Sequence, residues 1–94
     1  MKLLIDKSFE KDLKKVKDKS LKLKIANTLE SLLNINSLDE LRRVKKVKGD
    51  DIYYRIKLGD YRLGFSLEEK TITVIRFLHR KDIYKYFPKK KNAA

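Results

Sequence analysis

The stretch that decides the fold runs from residue 52 to residue 78 and reads IYYRIKLGDYRLGFSLEEKTITVIRFL. Apolar and polar residues alternate on both sides of Gly59 and Asp60, a pair that is typical of a two-residue hairpin turn. Residues 68–70 predict a second turn, and residues 71–78 are rich in the β-branched types that favour a central strand. The stretch therefore predicts three consecutive antiparallel strands.

Helical periodicity replaces this alternation earlier in the chain. Residues 2–6 form a short apolar run that predicts a strand, and Ser8 stands where it can cap a following helix. Glu10 and Asp12 are placed where negative charge suits the first turn of that helix. The apolar stripe of this helix consists of Phe9, Leu13 and Val16.

A second apolar stripe begins after the lysine-rich residues 17–20 and predicts a longer helix that ends near Asn34. Its members are Leu21, Ile25, Leu29, Leu32 and Leu33. We expect the two helices to form an antiparallel hairpin with one face on the core. Ser37 and Glu40 have the spacing of a capping box that opens a short third helix.

The remaining elements complete an α+β fold. Val44 and Val47 predict a short strand closed by a turn at residues 49–51, and residues 82–87 predict one helical turn before Pro88. The order is an N-terminal strand and a helical hairpin followed by a three- to four-stranded antiparallel sheet. We take residues 1–88 as a single domain and residues 89–94 as a basic tail.

Composition restricts the class of partner. The chain has 94 residues and a net charge of +12, which calls for an acidic partner; nucleic acid is the commonest, an acidic protein comes second and a membrane surface is a weaker third. No cysteine is present, the N-terminus has no signal-peptide pattern, and no apolar run approaches the roughly 20 residues that span a bilayer. We expect a cytoplasmic protein that does not act at a membrane.

The alternation of residues along the strands predicts that several basic side chains share one face of the sheet. We expect the helices to cover the sheet face that carries Ile56 and Leu58, which leaves the opposite face open. Arg55 and Lys57 are two residues apart on one strand, so they project from that open face. Arg62 follows the hairpin turn and lies beside them in the simplest register.

The last strand supplies further candidates. Arg76, His79 and Arg80 cannot all share this face without a bulge, and we favour Arg80, at the strand end, as the one that converges. Tyr84 and Tyr86 would then lie at the rim. Arginine and lysine suit phosphate oxygens and tyrosine can stack on an unpaired base, so the cluster fits a phosphodiester. The alternative is a solvated basic strand face.

Four short motifs carry a resemblance to a known family. They are Val47-Lys48-Gly49, then residues 54–58 (YRIKL), then residues 60–63 (DYRL), and finally residues 79–84 (HRKDIY). In their order and spacing they resemble the signature of the RelE/ParE toxin superfamily of bacterial toxin–antitoxin pairs. The preceding strand and helical hairpin match that family's order, so the resemblance spans nearly the whole chain.

The resemblance to the RelE branch implies a reaction. Those toxins are similar to ribonucleases that enter the ribosomal A site and cut messenger RNA without a metal or cofactor. The RNA's 2′-hydroxyl attacks the neighbouring phosphorus and leaves a cyclic phosphate and a 5′-hydroxyl. The resemblance also implies an acidic antitoxin with a segment that folds on binding, and hence a toxin–antitoxin hetero-oligomer.

The family's site residues are carried over by motif. The basic pair of the second long strand corresponds to Arg55 and Lys57, the arginine after the hairpin turn to Arg62, and the arginine after the last strand to Arg80. Contacts to substrate are predicted for a further set, which comprises Lys48 and either or both of Tyr84 and Tyr86. An arginine is too hard to deprotonate to serve as a base, so Lys57 and His79 both remain candidates for the proton transfer.

His79 is the only histidine of the chain. It suits general acid–base work near neutral pH, and its structural alternative is packing at a strand end with a hydrogen bond to a backbone carbonyl. One histidine with no cysteine makes a poor metal site. A competing function is that of ParE-like toxins, which share the fold, bind DNA gyrase and cut nothing. The four basic residues Arg55, Lys57, Arg62 and Arg80 favour the nuclease over the gyrase inhibitor.

Overall fold

A strand and a helical hairpin begin the chain, as the sequence predicts. The computed structural model describes residues 1–49 and 51–88. Strand β1 spans Lys2–Ile5, helix α1 Lys7–Lys14 and helix α2 Lys19–Asn34. The later elements are a single 3-10 turn at Leu38–Glu40, the strands β2 (Val44–Lys46), β3 (Tyr53–Leu58), β4 (Tyr61–Glu68) and β5 (Thr71–His79), and helix α3 (Arg80–Tyr86). The predicted tail, residues 89–94, lies outside the described residues.

The prediction that Ser8 caps α1 is wrong, because Asp6 is the capping residue. Its carboxylate accepts a hydrogen bond from the backbone N–H of Ser8 at 3.1 Å. The Ser8 hydroxyl lies in the first turn, where it contacts the Asp6 carboxylate and the carbonyl of Ile75 on β5. The capping box of Ser37 and Glu40 is confirmed, although it opens one 3-10 turn rather than an α-helix.

The five strands form one mixed sheet in the order β1-β5-β4-β3-β2. Only β1 is parallel to its neighbour, β5, while β2 to β5 form the predicted four antiparallel strands. The turn at Gly59 and Asp60 fixes the hairpin register, so Lys57 lies opposite Arg62. The α+β fold is confirmed.

The helical hairpin packs on one face of the sheet. The core between the two layers is fully closed, because its central residues expose 2% or less of their surface. These residues are Phe9, Ile25, Leu32, Leu63, Phe65, Ile72, Val74 and Phe77. Ile56 and Leu58 are buried on the same face, as the alternation predicts. Burial of such aliphatic and aromatic side chains stabilises the fold by about 1.5–3 kcal/mol for each one fully removed from water.

The opposite face is only partly open, which corrects the expectation of a free face. Helix α3 covers its centre, where Ile83 is fully buried and Phe87 is 4% exposed. The Phe87 ring lies over Gly64, so close that a Cβ at this position would come within 2.7 Å of ring carbons. On this face α3 leaves open β2, most of β3 and the beginning of β4 at one edge of the sheet, and β1 at the other edge, where Leu4 is 46% exposed.

A β-bulge explains where the end of β5 points. Gly64 pairs with Arg76 and Phe65 with Val74, so Ile75 is an extra residue in β5. Asp12 of α1 fills the gap that this irregularity leaves, because its buried carboxylate accepts from the Arg76 Nε at 2.8 Å and from the Phe77 backbone N–H at 2.9 Å. The sequence assigned Asp12 to the helix N-terminus, whereas the structure shows it bound to the sheet.

Candidate functional site

A cavity of about 400 Å³ opens on the uncovered part of the sheet, and we call it the basic cavity. It is lined by Arg42, Arg43, Val44, Lys45, Arg55, Lys57, Arg62 and Tyr84. Six of these eight side chains are cationic and none is acidic. The convergence that the sequence predicted for Arg55, Lys57 and Arg62 is therefore present in the fold.

Strand register sets the spacing of these cations. Arg55 and Lys57 project from the same face of β3, and Lys57 lies opposite Arg62 on β4. On the other side of β3, Lys45 of β2 lies opposite Arg55. Neighbouring strands are about 4.8 Å apart, so basic side chains from three adjacent strands reach one concavity. Because the floor is a hydrogen-bonded sheet, the cavity is preorganised rather than assembled by the ligand.

Tyr84 forms one wall of the basic cavity. The Arg55 guanidinium carbon lies 4.5 Å from the centre of the Tyr84 ring, within the range of a cation–π contact. Helix α3 places this ring, because the preceding residue, Ile83, is buried in the core beneath it. The Tyr84 side chain is 67% exposed, so ring surface remains available to stack on a base.

Tyr86 points to another part of the surface. Its ring lies 5.8 Å from the guanidinium carbon of Arg76, and it does not line the basic cavity. The sequence left Tyr84 and Tyr86 as alternatives for the substrate contact. The structure brings Tyr84, and not Tyr86, to the three predicted basic residues.

Arg62 is held in place by the hairpin turn. Its Nη1 donates hydrogen bonds to the backbone carbonyls of Gly59 and Tyr61, both at 2.9 Å. These bonds use one of the guanidinium nitrogens, and the others make no hydrogen bond to the described residues. The contact fixes the side chain, so part of the entropy cost of positioning a phosphate-binding group is met before the ligand arrives.

Arg80 lies beside this turn and does not line the basic cavity. It is the first residue of α3, its backbone N–H donates to the Asp60 carbonyl at 2.8 Å, and its side chain is exposed. Lys48, which follows β2, is also exposed and outside the cavity. The functional roles predicted for Arg80 and Lys48 stay predictions.

His79 lies on the helical-hairpin side of the sheet. Its ring contacts the edge of Tyr61, which in turn stacks on Phe77 of the core at 5.1 Å. The Nδ1 atom accepts from the backbone N–H of Lys81 at 3.1 Å and thereby caps α3. The bulge in β5 sends this residue to that side. The packing of His79 at the strand end agrees with its structural alternative, but the ring accepts a hydrogen bond from a backbone N–H and does not donate one to a carbonyl among the described residues. Its catalytic role stays a prediction.

Three cations of the basic cavity were missed from the sequence, namely Arg42, Arg43 and Lys45. A signal was present, since Val44 is an apolar residue of a strand and its neighbours must face the other way. The strand is only three residues long, however, and too short for alternation to stand out. Its pairing with β3 reveals which face each residue occupies.

The charge of the cavity is unbalanced within the fold. Among residues 1–49 and 51–88, the ion pairs are Lys46 with Asp51 and Arg76 with Asp12, and neither lies at the cavity. The described part of the chain also contains no group of histidine and carboxylate side chains that could hold a metal ion. None of its helices is long and apolar enough to cross a membrane. The arrangement is suited to an anionic ligand.

Comparison with known proteins agrees with the fold and with the motifs. Residues 3–84 match the family described as the ParE toxin of type II toxin–antitoxin system, parDE. The chain belongs to the RelE/ParE toxin superfamily. The resemblance seen in the sequence is thereby confirmed, and the protein is a RelE-like toxin of a type II toxin–antitoxin system.

Similar proteins include several from archaea. The toxin is 46% identical to Toxin RelE3 of Methanocaldococcus jannaschii over 89 residues, which cover 94% of this chain and all of that protein. Its structure is similar to the RelB-RelE antitoxin–toxin complex of Methanococcus jannaschii, with a TM-score of 0.77, 44% identity and 90% and 99% of the two chains covered. For the archaeal RelE-RelB complex of Pyrococcus horikoshii the TM-score is 0.69, the identity 25% and the coverage 84% and 93%.

Proposed function

We propose that the toxin is an endoribonuclease that cuts messenger RNA in the ribosomal A site, without a metal, and so inhibits translation. The observation that carries the proposal is the convergence of Arg55, Lys57 and Arg62 with the exposed ring of Tyr84 in one cavity. A cationic site beside an aromatic platform fits the backbone and the base of a single strand at once. The 46% identity to Toxin RelE3 supports the RelE branch, for which the resemblance of the motifs implies this activity.

The proposed reaction is a transesterification within the RNA. The 2′-hydroxyl loses its proton and attacks the adjacent phosphorus, the bond to the 5′-oxygen of the next nucleotide breaks, and that oxygen takes up a proton. The products are a 2′,3′-cyclic phosphate and a 5′-hydroxyl. The side chains must therefore accept one proton, donate one proton and stabilise the charge that develops on the phosphate oxygens.

The geometry suggests how these tasks are divided. Lys57 is the group that we propose exchanges a proton, because the arginines keep their charge throughout the accessible pH range and Lys45, the other lysine of the cavity, lies on β2 and not opposite Arg62. Arg62 is fixed by the turn and is aimed at the phosphate as an electrostatic stabiliser. Arg55, backed by the Tyr84 ring, neutralises the same charge and orients the strand. Arg80 would join this set if its exposed side chain turns toward Arg62.

We further propose that an acidic antitoxin holds the toxin inactive in the cytoplasm. The structures similar to this chain from Methanococcus jannaschii and Pyrococcus horikoshii are complexes of RelE with RelB. A net charge of +12 favours an acidic partner of this kind and accelerates its association. A hetero-oligomer of toxin and antitoxin is the expected resting state.

The end groups of the product test the proposed function. Ribosomes programmed with a short messenger RNA and incubated with the toxin should yield a 5′-hydroxyl and a 2′,3′-cyclic phosphate, and a 2′-deoxy substitution at the cut nucleotide should stop cleavage. Arg62→Ala should slow cleavage by about 100-fold or more, since it removes a preorganised charge from the transition state. Lys24→Ala, which removes an exposed charge from α2, is the matched control.

The gyrase-inhibitor alternative is kept because the matching family carries the ParE description. Under that alternative the toxin would lower the supercoiling activity of purified DNA gyrase and leave messenger RNA intact. Intact RNA together with inhibited gyrase would reject the nuclease proposal, and cleaved RNA with unaffected gyrase would reject the alternative.

A further inference from the structure

The basic cavity contains more positive charge than one phosphate needs. Its six cationic side chains come from β2 and the residues before it, from β3 and from β4. A phosphodiester carries a single negative charge, so six cations gathered around one of them would mainly repel one another. The cavity therefore fits a ligand with more than one phosphate.

The cations at the edge strand β2 lie on the other side of β3 from Arg62. Lys57 and Arg62, the pair proposed to act on the cleaved phosphate, lie opposite each other on β3 and β4. Arg43 and Lys45 lie one strand further out, on the edge strand β2 and just before it. Since β2 and β4 flank β3, Arg43 and Lys45 are about two strand spacings, roughly 10 Å, from Arg62 but only one spacing, roughly 5 Å, from Lys57.

Neighbouring residues on β2 have different surroundings, which argues against a uniformly solvated strand. Lys46 lies opposite Tyr54, and its ammonium is 3.7 Å from the carboxylate of Asp51. Lys45 lies opposite Arg55 instead, among cations, and has no ion pair within the described residues. Lys45 thus lies on the face that carries the proposed reaction, whereas Lys46, the next residue along the strand, projects from the other face of the sheet.

We propose that Arg43 and Lys45 form a second phosphate subsite, which binds a backbone phosphate next to the one that is cleaved. The proposal deepens the proposed function and rests on it. The ligand is an extended single strand of RNA, because the exposed Tyr84 ring offers a stacking surface that only an unpaired base can use. A subsite of this kind binds the strand and leaves the bond-breaking step to Lys57 and Arg62.

Single-turnover cleavage on programmed ribosomes tests the subsite. Lys45→Ala and Arg43→Ala should each raise the toxin concentration needed for half-maximal rate by about five- to tenfold, the effect of one lost charge-assisted contact. The maximal rate constant should change less than about twofold, because the contact is present equally before and during reaction. Lys46→Ala removes the same charge one residue away and should change neither quantity.

An uncharged methylphosphonate in place of one RNA phosphate shows which phosphate Lys45 contacts. Messenger RNA is prepared with a methylphosphonate at the linkage on the 5′ side, or on the 3′ side, of the cut. One of these RNAs should bind the wild-type toxin less tightly, by about the factor that Lys45→Ala loses with ordinary RNA. Lys45→Ala should bind that same RNA only slightly less tightly than it binds ordinary RNA, because the contact is already lost. Fully additive losses for both linkages would overturn the proposal.

Failure of the subsite is distinguishable from failure of the proposed function. If the wild-type toxin cleaves and Lys45→Ala behaves as Lys46→Ala does, the subsite is rejected and the nuclease stands. If the wild-type toxin binds a short single-stranded RNA in a Lys45-dependent way but yields no product, the subsite stands and the nuclease is rejected. If Lys45→Ala weakens only antitoxin binding, the surface is a protein interface and the subsite is rejected.

Discussion

Gly64 lies where the C-terminal segment comes closest to the sheet. The Phe87 ring occupies the space of the missing side chain, with ring carbons 2.7–2.8 Å from the position of a Cβ. Phe87 also contacts the edge of the Tyr53 ring, at a centroid distance of 5.6 Å. One absent methyl group therefore allows the aromatic contact that ties the end of α3 to the strands beneath the basic cavity.

We expect Gly64→Ala to lower the free energy of unfolding by about 1–3 kcal/mol, the usual cost of overpacking a closed core. Urea denaturation followed by circular dichroism measures it. Phe87→Leu provides the control, because a smaller side chain relieves the clash. In the Phe87→Leu protein, Gly64→Ala should lower the free energy of unfolding clearly less than it does in the wild type. Equal costs in both backgrounds would mean that Phe87 is not what Gly64 accommodates.

Asp6 makes part of the stability dependent on pH. The hydrogen bond from the Ser8 hydroxyl, and then the one from the Ser8 backbone N–H, lower the pKa of the Asp6 carboxyl below its ordinary value of 3.8. Both bonds favour the charged form, so the stabilisation is complete above the ordinary value. It is lost as the pH falls through the lower pKa of the folded state.

We expect Asp6→Asn to reduce the free energy of unfolding most near neutral pH, and the difference from the wild type to shrink below a pH of about 3.8. Asparagine remains an acceptable capping residue, so the substitution isolates the charge. Urea midpoints of both proteins, measured from neutral pH to pH 3, follow the difference. A difference that stays constant, or grows on acidification, would contradict this assignment.

At the scale of elements, α3 connects the core to the site. Its short length would not make a stable helix alone, and it depends on the buried Ile83 and on the cap from His79. Because Ile83 faces the core, Tyr84 is turned toward Arg55 while Tyr86 faces Arg76. The orientation of α3 therefore determines that Tyr84, and not Tyr86, borders the basic cavity.

This choice has a measurable consequence. Stacking of a base on an aromatic ring contributes about 1–3 kcal/mol to binding, so Tyr84→Ala should lower the rate of cleavage on ribosomes by roughly tenfold or more. Tyr84→Phe should retain most of the activity, since the ring and its contact with Arg55 remain. Tyr86→Ala should cause a smaller loss than Tyr84→Ala. The reverse order of the two alanine variants would show that the stacking residue is Tyr86.

Local patterns predicted the elements with short connections and failed at the irregular ones. The two-residue turn at Gly59 and Asp60 fixes one register, so alternation correctly placed Arg55, Lys57 and Arg62 together. The bulge at Ile75 reverses which face each later residue of β5 occupies. A bulge leaves no reliable mark in a run of β-branched residues, so the side on which His79 lies could not be predicted.

One face of the sheet carries the core and the other carries the basic cavity. One face is closed by the helical hairpin and contains the core, while the other is covered at its centre by α3 and carries the basic cavity at its edge. The chain has 25 lysine and arginine residues against 13 acidic ones. Net charge alone predicted an acidic partner, and only the tertiary fold shows that six cations share one cavity whose lining, among the described residues, includes no carboxylate.

The salt dependence of RNA affinity measures how many phosphates the basic cavity neutralises. Each phosphate of a single strand that the protein neutralises contributes about 0.7 to the slope of log affinity against log salt concentration. If the basic cavity binds two phosphates or more, the slope for a short single-stranded RNA should be steeper than about −1.4 between roughly 50 and 200 mM salt.

Fluorescence anisotropy with labelled RNA measures that slope directly. Lys45→Ala should make it shallower by about 0.7 to 1, whereas Lys46→Ala, which removes a charge from the other face of the sheet, should leave it nearly unchanged. A wild-type slope near −0.7 would mean that a single phosphate is neutralised. In that case the additional cations of the cavity would have to act on another partner, because their charge is not balanced within the described fold.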